Sequence, residues 1–171
     1  MADKRVLAEM TERTCAVGVL KSTPERFLED QTRFRILGTG FLIHPELVMT
    51  NRHVLRNIIQ ENSKDPARIE STCVAFLRAQ GAAARFDFRW VHAMMPIEHP
   101  RRIDIGLIKL LGPVTDLSPV HFPEYFRHEV GDPCAVCGYP YGRDLHRRPS
   151  EPPYRFGPVI QRGFVSTIAP V

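Results

Sequence analysis

The chain has 171 residues, of which 43% are hydrophobic and 25% charged, a balance that suits a folded domain and excludes intrinsic disorder. The formal net charge of +4 is mild, and the arginines fall in short pairs such as Arg101-Arg102 and Arg147-Arg148, which argues against a nucleic-acid-binding face. No apolar run reaches the length of a membrane span and the N-terminus has no signal-peptide core, so the sequence predicts a cytoplasmic protein with no membrane partner and with Cys15, Cys73, Cys134 and Cys137 reduced.

In chain order, residues 3–13 read as a short amphipathic helix, because Val6, Leu7 and Met10 fall at helical spacing. The texture then changes to short apolar runs. Residues 15–20 read as a strand, 24–31 as a helical or irregular insertion, and 33–43 as a longer strand holding Gly38 and Gly40. Glycines inside a strand mark a bulge or a close backbone approach. A short strand over 47–49 follows, and then a helix through Val54, Leu55, Ile58 and Ile59, which Thr50 or Asn51 can cap and Lys64-Asp65-Pro66 ends. Strands are predicted over 72–78, 85–95 and 104–111, then a Pro-containing connection over 112–131, then strands over 133–139 and 158–168. Short strands joined by turns predict an all-β sandwich or barrel, with about six strands before residue 112 and two after it.

Two residues stand out as chemistry-bearing. His53 lies in the first turn of the predicted helix, where an imidazole can be held rigidly at a cleft edge as a general base requires. Asp104 heads an apolar strand, and a carboxylate entering such a strand needs a hydrogen-bond partner, for which an imidazole N–H is suitable. Taken singly, the ordinary readings are a surface or capping histidine and a turn-capping aspartate.

Together they are more specific. The runs TGFLI, TNRHV and DIGLIKL, followed by VGDPCAVCGYPYG and GPVIQRGFVSTI, resemble the trypsin-like serine peptidase superfamily, most closely its bacterial heat-shock-type and other intracellular members. The resemblance covers residues 14–168. It implies a fold of two six-stranded antiparallel β-barrels with the catalytic cleft between them. His53 would be the general base and Asp104 the carboxylate that orients it, in a serine endopeptidase acting on a peptide or protein substrate by acyl transfer, with no cofactor and no metal. Val54 stands where many secreted members carry a disulfide cysteine. The implied organisation is an N-terminal helical segment (1–13), a first barrel (14–112), a connection (113–131) and the opening strands of a second barrel (132–171).

One departure is large. The family's nucleophile sits in a Gly-x-Ser-Gly-Gly-type loop, and none of Ser22, Ser63, Ser71, Ser118, Ser150 or Ser166 has that setting. The oxyanion-hole amides normally come from the same loop. Truncation, completion by a partner and a degenerate relative all fit this pattern. The good local context of both triad positions favours truncation. The expectation is a chain inactive alone, the alternative a non-catalytic module that holds peptide or protein segments in its cleft. Unpaired edges on a half-built second barrel predict self-association of the isolated chain, dye binding or partial disorder after about residue 130.

The remaining signals read as structural. Cys134-x-x-Cys137 suggests zinc or a redox pair, but residues three apart on a strand point to opposite faces and no second CxxC exists. Gly38-x-Gly40 lacks the third glycine and the following helix of a phosphate loop. Phe86, Phe88 and Trp90 alternate as barrel core does.

Overall fold

The structure is a computed structural model that describes residues 4–20, 34–63, 72–80, 83–98, 103–122, 124, 129–140 and 158–166. The predicted insertion at 24–31, the helix stop at 64–66 and the polar loop at 141–157 lie outside the described residues.

Helix α1 (Lys4–Arg13) leads into strand β1 (Thr14–Leu20). Strands β2 (Phe34–His44) and β3 (Leu47–Thr50) form a hairpin, and helix α2 (Arg52–Ser63) follows after one residue. Strands β4 (Thr72–Gln80), β5 (Ala83–Pro96) and β6 (Gly106–Leu110) complete a first sheet. This sheet closes into a barrel in the order β1-β2-β3-β6-β5-β4, because β1 pairs antiparallel with both β2 and β4. Strands β7 (Pro133–Gly138) and β8 (Val159–Phe164) form a separate antiparallel pair. The eight predicted strands and the helices predicted at 3–13 and through Val54–Ile59 are found among the described residues, the last strand ending at Phe164 rather than at 168. Asp104 stands two residues before β6 rather than inside it, which leaves its carboxylate clear of the ladder.

The barrel interior is an apolar cluster drawn from alternate strand positions, including Val17, Leu42, Val48, Val74, Phe76, Ile108 and Leu110, all 0 or 1% exposed. Val54, Leu55 and Ile58 of α2 join the same cluster, so the helix closes one end of the barrel. Strand β2 carries a bulge. Val17 pairs with Gly38 but Gly18 pairs with Ile36, so Leu37 is the extra residue of β2. The bulge flips the side-chain alternation: Leu42 points inward, whereas Phe34 and Ile36 join a second cluster with Ala16, Leu20, Cys73 and Ala75. Tyr139, arriving from beyond β7, is buried in that second cluster, which places the cluster on the outside of the barrel. Phe86, Phe88 and Trp90 do share one face, as their alternation predicts, but they pack against this outer cluster rather than the interior. Phe34 and Phe88 meet edge to face at 5.2 Å.

Two glycines let α2 lie this close. A Cβ on Gly38 would come within 2.5 Å of Val54 Cγ2, and one on Gly106 within 2.5 Å of Leu55 Cδ1. The leucine tip can swing aside, whereas the β-branched valine is fixed by its helix. Gly38→Ala is therefore expected to destabilise the chain by about 1–3 kcal/mol through overpacking. Val54→Ala in the same chain should give a total loss smaller than the sum of the two single losses in urea unfolding. Additive losses would show that Gly38 does not set the seat of α2.

Candidate active site

The register of β3 against β6 builds the site. Thr50 is the last partner of β3 and pairs with Gly106, the first of β6. The residues just after one strand and just before the other are therefore neighbours, although about fifty positions separate them in sequence. Asn51 is the residue from which α2 starts: its carbonyl accepts from the amides of Val54 at 3.1 Å and Leu55 at 3.4 Å. The predicted side-chain cap takes a different form. Asn51 Nδ2 donates to the Asp104 carbonyl at 3.3 Å, and the Thr50 hydroxyl donates to the Thr39 carbonyl at 2.6 Å. The acceptor for the helix comes from across the site. The His53 amide, a first-turn donor with no partner inside the helix, donates to Asp104 Oδ1 at 2.9 Å.

The second Asp104 oxygen takes the ring. His53 Nδ1 lies 2.6 Å from Asp104 Oδ2. One carboxylate thus holds both the backbone and the imidazole of one residue. With Asp104 ionised, the ring donates through Nδ1 and its Nε2 carries the lone pair. These bonds hold the Asp104 carboxyl below its ordinary value. The His53 ring hydrogen bond is the largest cause, the His53 amide the next, and the charges of His53 and Arg52 add to them. Among the described residues, the His53 ring has no hydrogen-bond partner other than Asp104, and the ring is 64% exposed. So the structure brings both predicted residues together at an open barrel rim.

The second sheet docks beside them. Tyr139 N donates to Thr39 Oγ1 at 2.7 Å, which joins the end of β7 to β2. A cavity of about 490 Å³ lies between barrel and sheet, lined by Asn51 and Asp104 on one side and by Val136, Val159 and Gln161 on the other. Cys134 is exposed on β7 and Cys137 half-buried, and burial pushes the Cys137 thiol up. The buried Cys15 and Cys73 are free thiols that burial raises far above the ordinary range.

Sequence reasoning missed a charged cluster at the start of α2. Glu98, in the β5–β6 connection, accepts from Arg52 Nη1 at 3.1 Å and from Arg56 Nη2 at 2.6 Å. The two arginines are four apart on one helix face, which was the available signal; their partner emerges only once β5 and β6 are paired.

A closed six-stranded antiparallel barrel, a short helix at its rim and a second sheet begun beside it define the chymotrypsin fold. The family model for a trypsin-like peptidase domain matches residues 38–170, and the chain belongs to that family. Among solved structures the chain is similar to neuropsin, titled a serine protease expressed in the limbic system of mouse brain. The identity is 14% and the TM-score 0.53, over 93% of this chain and 61% of that one. At that identity the likeness shows the fold. The chain thus spans about 61% of the length of that solved relative. No curated protein sequence matches the chain.

Proposed function

We propose that this chain supplies the base and its orienting carboxylate for a serine endopeptidase that hydrolyses peptide bonds by acyl transfer. The observation that carries the reading is the double hold of Asp104 on His53, with the amide at 2.9 Å and the ring at 2.6 Å. An imidazole fixed in this way accepts the proton of an attacking hydroxyl through Nε2 and later returns it to the leaving amine. Asp104 sets the tautomer and stabilises the imidazolium without taking the proton itself. The nucleophile and the oxyanion-hole amides are assigned to sequence outside residues 1–171, because no serine of the chain lies in a nucleophile-loop setting. The same reading makes 14–112 the first barrel and 132–171 the start of the second. Val54, in place of a disulfide cysteine, supports a member of a reducing compartment.

The test is covalent labelling of the full-length protein with a fluorophosphonate probe. The wild type is expected to label and His53→Ala to lose the label. Equal labelling of both would remove His53 from the mechanism. A wild type that never labels would favour the module that only holds peptides.

A further inference from the structure

Among the described residues, the entrance to α2 gathers two carboxylates, two guanidiniums and one imidazole, each carboxylate with its own partners. Glu98 and Asp104 belong to one connection, between β5 and β6, which is closed by the Ile97 amide donating to the Ile105 carbonyl at 3.0 Å. Arg52, His53 and Arg56 belong to α2. Glu98 Oε2 takes Arg52 and Oε1 takes Arg56, while Asp104 Oδ1 and Oδ2 both take His53. Each of the four carboxylate oxygens has one charged or ring partner, or the amide beside it, and among the described residues no guanidinium reaches Asp104 by hydrogen bond.

This sorting is not automatic. A guanidinium is a stronger, geometrically better partner for a carboxylate than an imidazole is. Arg52 is the immediate sequence neighbour of His53, and its charge is felt at Asp104. Its side chain is only 15% exposed, so it lies along the protein rather than reaching into water, and it ends on the 65% exposed Glu98. Two anions are in reach of this corner, and Glu98 is the one that holds it.

We propose that Glu98 is a positioning residue that keeps Arg52 away from Asp104 and so leaves that carboxylate to His53. The proposal rests on the base-and-orienter reading of His53 and Asp104. Loss of the Glu98 charge would free Arg52 to turn to Asp104, which would then divide its oxygens between guanidinium and imidazole. His53 would lose the bond that fixes its tautomer. Arg56, at 52% side-chain exposure, can return to water and does not compete.

The test compares the full-length wild type with Glu98→Gln and with the double variant Arg52→Gln/Glu98→Gln. Two readouts are taken on each: the rate of fluorophosphonate labelling, and the low-field proton resonance of the His53 Nδ1–H in a ¹⁵N-histidine-labelled sample. Glu98→Gln is expected to label about 10²-fold more slowly, the scale of a small misplacement of a catalytic group, and to lose the low-field resonance. The double variant is expected to recover both. An unchanged resonance in Glu98→Gln would overturn the proposal. So would a double variant as impaired as the single one, since that is the behaviour of a clasp that merely pins the loop. A wild type without the resonance would instead overturn the His53–Asp104 reading beneath it.

Discussion

Asp104→Asn is expected to slow turnover of the full-length protein by about 10⁴-fold while leaving its fold intact. The carboxylate accepts two hydrogen bonds from one residue, the His53 amide at 2.9 Å and the His53 ring at 2.6 Å. An asparagine has one oxygen and one NH₂ in the same places. If its oxygen keeps the helix amide, its NH₂ faces the ring, and Nδ1 must become the acceptor. The proton then sits on Nε2, the atom required as base. The size of the loss reflects the wrong tautomer, not a missing side chain. The measurement is steady-state hydrolysis alongside thermal unfolding. A loss below about tenfold with an unchanged melting temperature would show that Asp104 does not set the tautomer.

The same bonds give a pH dependence with a definite sign. The folded Asp104 carboxyl titrates below its ordinary 3.8, chiefly because the His53 ring bonds to its charged form. A depressed carboxylate contributes stability above its unfolded pKa and loses it as pH falls through the folded one. The orientation of His53 should therefore persist through neutral pH and fail only in acid, below 3.8.

The largest effect on stability is expected from Phe76→Ala, at about 3–5 kcal/mol. Phe76 is 0% exposed and sits in the interior cluster on β4. It pairs with Cys15 of β1 across the seam that closes the barrel. Its same-face neighbour on β4 is Arg78, whose guanidinium carbon lies 5.6 Å from the ring centroid. Truncation leaves a void bounded by paired strands, which cannot collapse without opening the seam. At about 2–4 °C per kcal/mol for a chain of this size, the melting temperature should fall by roughly 6–20 °C. The check is thermal unfolding followed by far-UV circular dichroism. A fall of under about 2 °C would place Phe76 outside the cooperative core.

Much of this architecture was legible in the residues. Alternation and turn residues marked all eight strands, because most are short and they are bounded by Gly, Pro or polar residues. His53 and Asp104 could be paired because the runs around them are those of one family. Pairing-dependent features were not legible. The bulge at Leu37 decides which residues of β2 face inward, and local alternation cannot show a one-residue slip. The Phe86, Phe88 and Trp90 face was visible as a face, but its outward direction depends on barrel closure and on Tyr139 arriving from a distant strand. Glu98 looked like any loop acid until the Pro96–Gly106 pairing brought its connection against α2. Asn51 read as an ordinary cap, whereas its amide is spent on the Asp104 carbonyl.

The central proposal is a division of labour, with the base and its orienting acid in this chain and the nucleophile assigned to none of the serines of residues 1–171. The most direct measurement is the position of the covalent adduct on the fluorophosphonate-treated full-length protein, mapped by peptide mass spectrometry. The account predicts one modified serine beyond Val171, absent from the His53→Ala protein. An adduct on Ser118, Ser166 or any other serine of residues 1–171 would contradict it.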